Sequence, residues 1–385
     1  MIAADRPVQR PPDARLLVID ACGRITRAPR SKFVDFLRPG DLVVANDAAT
    51  LPASLHGRHV PSGAAIEARL AGRSSLDRED VRFSAVVFGA GDYRTRTEDR
   101  ERPPALSPGD SLQLGPLTAI LEALLGHPRL VTLRFAGAPH DVWAGIARHG
   151  RPVQYAHIPV PLALWDVWTP IASAPVAFEP PSAGFVLDWK SLGEMRSRGV
   201  VFATLTLAAG LSSTGDPVLD ARLPLDEPYR IPAATASALR RANALGGRVI
   251  AIGTTVVRAL EHAGARDGVV HAGDAVADQR IGAPTELRIV DAILSGTHEP
   301  DTSHYQVLRA FADDAALDKA SATLEAYGYR SHEFGDSMLV ERRAAAGRTL
   351  RRQSMSQLAV GATARWFGPG TRDEVAAISR SQARC

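Results

Sequence analysis

Between residues 51 and 161 the chain breaks into short apolar segments separated by Gly, Pro and Asp, while on either side strand-like runs alternate with helix-like ones. This change of texture limits the fold more than any other feature. Short apolar runs bounded by turn formers suit strands better than helices, so segments 64–70, 81–88 and 130–135 are expected as strands. Leu106-Ser-Pro-Gly-Asp-Ser-Leu112 reads as a turn between strands. Several short strands at this spacing predict a small antiparallel β-barrel or sandwich. Segment 117–125 stays open between strand and helix, because so short a run has no decisive period. Glu67 is expected to face solvent from its strand.

The flanks follow another pattern. Arg15-Leu-Leu-Val-Ile-Asp20 and the run 42–45, which ends in Asn46-Asp47, read as buried strands. Beyond residue 161 the sequence predicts a helix over 187–198, a strand over 200–207 and a helix over 231–245 with Pro232 in its first turn. A strand over 248–252, a helix from Gly253 to about His262, helices over 303–311 and 315–327, and a final strand over 337–341 complete the pattern. Repeated strand–helix units imply a mainly parallel sheet. The predicted architecture is an α/β domain split over 1–54 and 160–340, a small antiparallel β-barrel domain inserted over 55–159, and an Arg-rich C-terminal extension over 341–385.

Composition narrows the function classes. No apolar run reaches the roughly 20 residues that span a bilayer, and residues 1–10 lack the apolar centre of a signal peptide, so a cytoplasmic protein without membrane contact is expected. Cys22 and Cys385 are the only cysteines, too few for a disulfide scaffold or a cysteine-built zinc site. The net charge of +3 comes from the last 45 residues, where nine arginines face three acids; residues 1–340 carry 36 bases against 39 acids. That tail is either a phosphate contact for RNA or a solvated extension. Because 42 of the 45 bases are arginine along the whole chain, the bias is compositional and does not decide between the two.

The sharpest local motif is Gly253-Thr254-Thr255-Val256-Val257-Arg258. A strand enters a glycine turn and a helix begins, so backbone N–H groups and the helix dipole converge where a phosphate or carboxylate fits. Thr254 is placed to cap the helix, and Arg258 either contacts the anion or pairs with Glu261 one turn on. Glu179-Pro-Pro-Ser-Ala-Gly184 is a stiff loop: Pro181, Ser182, Ala183 and Gly184 form either the wall of a flat ligand's site or a rigid connector. His298 is an acid/base candidate or an exposed loop residue, and either Asp301 or Thr302 caps the helix after it. Asp336 either binds a ribose hydroxyl or makes a turn. His56 and His59 lie three apart without further ligands in view, so no metal site is expected; nor is there a Gly-x-Ser-x-Gly elbow.

In order and spacing, several segments resemble the S-adenosylmethionine:tRNA ribosyltransferase-isomerase family of the queuosine pathway. They include Leu37-Arg-Pro-Gly-Asp-Leu-Val-Val-Ala-Asn46-Asp47, Pro181-Ser-Ala-Gly184, Gly247-Arg-Val-Ile-Ala-Ile-Gly-Thr-Thr-Val-Val-Arg-Ala-Leu-Glu261, Ile289-Val-Asp-Ala-Ile-Leu294 and Phe334-Gly-Asp-Ser-Met-Leu339. The likeness spans roughly residues 2–340. It implies an α/β fold carrying a β-barrel, and S-adenosylmethionine as a co-substrate that donates its ribosyl part, with no metal. The acceptor it implies is 7-aminomethyl-7-deazaguanine in tRNA; epoxyqueuosine forms, and adenine and methionine leave. It also implies substrate contacts at Asn46 and Asp47, and it leaves Glu227 as the last acid of a run that is otherwise altered over 221–226. The sequence departs from the family at Ala48-Ala49, Val186 and Ala208, the last two standing where the family carries imidazoles. Two alternatives accompany the family activity: a diverged paralogue with a small-molecule acceptor, and a non-catalytic nucleoside-binding protein. Monomer and dimer stay equally open.

Overall fold

The computed structural model describes residues 1–300 and 302–343; most of the expected Arg-rich extension lies outside the described residues. The frame is a nine-stranded sheet in the order Gly273–Ala277, Glu227–Ile231, Val201–Leu207, Leu42–Asn46, Val249–Ile252, Ala292–Gly296, Ser337–Glu341, Arg15–Ile19, Ile25–Pro29. Its centre is parallel: Leu42–Asn46 pairs with Val201–Leu207 on one side and Val249–Ile252 on the other, and Val249–Ile252 pairs with Ala292–Gly296. These strands are short apolar runs because helices cover both faces; every residue of Leu42–Asn46 and Val249–Ile252 is buried. The margins are antiparallel, apart from the parallel pair Ser337–Glu341 with Arg15–Ile19, so the whole sheet is mixed.

Turn chemistry fixes where the central strands begin. Asp41 accepts the Arg38 N–H at 2.8 Å, closing the Arg38-Pro-Gly-Asp41 turn, and binds Arg248 Nη2 at 2.6 Å at the head of the next strand. The helix Trp189–Ser197 starts on Asp188, whose carboxylate accepts the Ser191 N–H at 2.6 Å. Two expected helix starts move. The helix expected from residue 231 runs over Ala233–Ala244, with Pro232 as its cap, and Glu227–Ile231 before it is a strand paired on both sides. Gly253, not Thr254, caps the helix Thr254–Ala263. Thr302 caps Ser303–Leu308 as expected, its hydroxyl accepting the Tyr305 N–H at 3.2 Å, while Asp301 falls outside the described residues.

The inserted unit is a closed six-stranded antiparallel barrel, ordered Leu117–His127, Leu130–Phe135, Arg82–Phe88, Ala65–Gly72, Ser54–His59, Ser111–Leu114. Leu117–His127 is a strand, and alternate residues are buried along its first half. His59 lies at the end of a strand, bonded to Ser62 and, at 3.0 Å, to Asp110 in the turn that the sequence marks. Glu67 overturns its expectation. It is 2% exposed and receives Ser54 Oγ and Arg69 Nε, each at 2.7 Å, together with Arg100. The barrel is joined to the frame by two neighbouring legs, since Ala48–Thr50 on the way in pairs in parallel with Ala174–Ala177 on the way back. One apolar core runs through both units, with Phe83 of the barrel edge-on to Phe178 at 6.2 Å.

Candidate functional site

In open α/β sheets, ligands bind beyond the carboxyl ends of the strands. Here a cavity of about 460 Å³ opens there, within the range of small-molecule sites. Ile252 delivers the chain to Gly253, which has φ 95° and ψ 153°, a region open in practice only to glycine. That turn aims the first N–H groups of Thr254–Ala263 at the cavity, and no side chain caps them. Opposite stands the stiff loop: Pro181, Ser182 and Ala183 line the cavity, while Gly184 sits behind them, where an added Cβ would lie 3.0 Å from Thr169 Cγ2. Gly253, Thr254, Thr255, Arg258, Glu227 and His298 also reach the wall.

Arg258 is on that wall but already engaged. Its guanidinium binds Glu227, the Ala277 carbonyl at 3.0 Å and the Gln279 carbonyl at 3.1 Å. Each of its guanidinium nitrogens thus has a partner within the fold. The alternative pairing with Glu261 does not form, because Glu261 instead accepts the N–H groups of Arg288, Ile289 and Val290 at 2.8–3.0 Å. Glu227 Oε1 accepts the Gly210 N–H at 2.9 Å. Burial raises its pKa against the pull of Arg258.

Besides Gly184, three expected contacts lie off the wall. Asn46 bridges strand ends, donating to the Leu207 carbonyl at 2.9 Å and accepting the Leu207 and Ala48 N–H groups at 3.0 Å. Asp47 takes the hydroxyls of Thr204 and Thr206 at 2.9 and 2.6 Å. Asp336 makes the turn: it accepts the backbone N–H groups of Arg15 and Arg330 and pairs with Arg15 Nη2 at 2.9 Å. In each case hydrogen bonds within the fold occupy the side chain.

The remaining wall carries titratable groups that the sequence reading did not single out: Tyr155, His157, Glu179, His304, His332 and Glu333. Glu179 is buried and contacts the Tyr155 hydroxyl, which also lies 3.1 Å from the Ser213 carbonyl. One phenol proton cannot serve both acceptors, and a proton on Glu179 resolves the conflict. Burial, reinforced by nearby Glu333 and opposed by the hydrogen bonds of Tyr155 and Ser212, accordingly brings the Glu179 pKa to about 7. His298 is half-buried, bonded to Ser295 Oγ at 2.9 Å and stacked on His304 with ring centres 4.7 Å apart. Desolvation holds both imidazoles below their usual pKa, so they are neutral near pH 7. His157 bonds Glu333 at 3.1 Å, and its ring stacks on His332 at 4.3 Å. The only signal for this group in the sequence is position: Glu179 opens the proline loop, and His332-Glu333 precede Phe334-Gly-Asp336.

One cavity thus gathers a helix start without a side-chain cap, the carboxylates of Glu179, Glu227 and Glu333, and the neutral imidazoles of His298 and His304.

Known proteins resemble this chain over most of its length. The sequence pattern of queuosine biosynthesis proteins matches residues 1–340. An S-adenosylmethionine:tRNA ribosyltransferase-isomerase of Citrifermentans bemidjiense is 32% identical over 347 residues, covering 88% of this chain and 96% of the relative. The enzyme of that name from Geobacter sulfurreducens is 33% identical over 349 residues, with coverage of 88% and 96%. The crystal structure of an S-adenosylmethionine tRNA ribosyltransferase from Thermotoga maritima aligns over 88% of this chain and 96% of its own, at 24% identity and a TM-score of 0.46.

Proposed function

The chain belongs to the queuosine biosynthesis protein family, and on that premise we propose that it is an S-adenosylmethionine:tRNA ribosyltransferase-isomerase. It moves the ribosyl part of S-adenosylmethionine onto the amine of 7-aminomethyl-7-deazaguanine in tRNA, rearranges that ribosyl group, and releases adenine and methionine. The observation that carries this reading is the pairing, in one cavity, of a helix start without a side-chain cap and the carboxylates of Glu179 and Glu227. S-adenosylmethionine has a carboxylate at one end and a sulfonium nearby. Backbone N–H groups of Thr254 and Thr255 take the carboxylate. Glu179 and Glu227 lie on the wall that faces the sulfonium, and His298, being neutral, does not repel it.

The sulfonium acidifies the carbon beside it, so the reaction needs a group that takes up a proton near neutral pH. Glu179, with a pKa of about 7, is matched to that task. His298 serves as a neutral hydrogen-bonding partner for a leaving or rearranging oxygen or nitrogen. Glu227 is held in place by Arg258 and acts as a fixed charge. Pro181, Ser182 and Ala183 form the wall for the flat adenine.

Incubation with S-adenosylmethionine, with and without tRNA carrying the deazaguanine precursor, tests the reading. Equimolar adenine and methionine are expected only when that tRNA is present. Release driven by a small amine acceptor and not by tRNA, or binding with no release under any condition, overturns it.

A further inference from the structure

His157, His332 and Glu333 come together at the cavity wall from segments about 175 residues apart, with one donor atom from each lying within 4.8 Å of the others. Two imidazoles and one carboxylate on one side of an ion form the three-protein-ligand set of open divalent-metal sites. We infer that this trio is a binding site for a borderline first-row divalent cation of the Zn²⁺ or Fe²⁺ class, with its remaining coordination positions open to water or to an occupant of the cavity.

Three observations support the assignment. The donor set mixes nitrogen with oxygen, which suits imidazole-seeking ions and not the all-oxygen preference of Mg²⁺ or Ca²⁺. The group is reachable, because His332 is exposed while His157 and Glu333 are only half-buried, so an ion enters from solvent without opening the core. The backbone also makes a concession at this point. His332 has φ 69°, the one positive value outside glycine among the described residues, a conformation that costs on the order of 1–3 kcal/mol. The Gly335 N–H donates to the His332 carbonyl at 3.0 Å and holds the turn, and the result is an imidazole stacked face to face with His157. Without an ion, His157 meets the Glu333 carboxylate directly at 3.1 Å; an ion would substitute for that contact and draw the three donors onto itself.

This inference goes beyond ribosyl transfer and is read without any nucleoside. Purified full-length protein, stripped with chelator, is titrated with Co²⁺ as a spectroscopic probe and with Zn²⁺ by calorimetry, with Mg²⁺ as control. One equivalent of Co²⁺ is expected, displaced by Zn²⁺ and not by Mg²⁺, with a rise in thermal midpoint. Glu333→Gln and His332→Asn should each weaken Zn²⁺ binding by more than the roughly 10–100-fold that follows loss of a group merely supporting a ligand. Asn tolerates positive φ, so His332→Asn removes the imidazole while keeping the turn, and its thermal midpoint without metal checks that it folds. Absence of stoichiometric Co²⁺ or Zn²⁺ binding, or binding that survives both substitutions unchanged, overturns the site. Because no S-adenosylmethionine is present, that failure is separate from any failure of the transfer reaction.

Discussion

The barrel and the cavity wall both bury ionisable side chains, and they treat them in opposite ways. In the barrel, Glu67 is desolvated, which alone would raise its pKa, yet Arg69 and Arg100 hold it down at about 2. On the cavity wall, Glu179 is desolvated just as fully, meets a phenol instead of a cation, and rises to about 7. A buried charge with its counter-ions is a fixed part of the scaffold. A buried carboxylate left without one changes its protonation in the range where the protein works. The difference separates framework from chemistry in this molecule, although both clusters look equally buried and equally polar.

Removing the barrel's central acid tests the comparison most severely. Glu67→Ala leaves Arg69 and Arg100 uncompensated in the interior and should cost roughly 3–5 kcal/mol, read from the urea midpoint. A variant as stable as the wild type would place the barrel cluster in the same class as the cavity's. Glu179→Gln probes the other side through pH. Its folded pKa of about 7 stands above its ordinary 4.5, so the wild type is favoured by a bound proton below 4.5 and loses that stability as pH rises through about 7. The amide cannot titrate; relative to wild type the variant should gain on the order of 3 kcal/mol between those limits and nothing more above them. Parallel pH curves for the two proteins would break the contrast. The smallest effect is expected where the two classes meet. Glu227 is on the cavity wall yet paired with Arg258, so Glu227→Gln should lose about 1.5–3 kcal/mol, the value of a hydrogen bond to a charged group. A variant as stable as the wild type in urea would remove Glu227 from the framework class.

The sequence exposed those parts of the fold that local patterns dictate. The strands at 15–19, 42–46 and 249–252 are apolar runs between turn formers, and the insertion announces itself by its texture. The marginal strands Glu227–Ile231 and Gly273–Ala277 carry Pro228, Arg230 and Asp274, so their polar composition hid them until pairing was visible. Glu67 was misjudged because alternation along a strand marks solvent only where one face is wet. In Ala65–Gly72 every residue after Ala65 is buried, since the closed barrel has an interior and its outer face is also covered. The Gly253 turn was legible because its geometry is local. The wall formed by Tyr155, His157, Glu179 and Glu333 was not, because its members approach one another only through the tertiary fold. Arg258 shows the converse error: its position was read correctly and its partner was not, since Glu227 lies 31 residues away in sequence.

The two adjacent legs that connect the barrel to the frame give it the character of a handle. Its covalent attachment is a narrow seam, and the returning leg, Ala174–Ala177, runs within two residues into Glu179 and the rigid proline stretch beyond. Backbone continuity alone therefore ties the seam of the barrel to the carboxylate that faces the cavity.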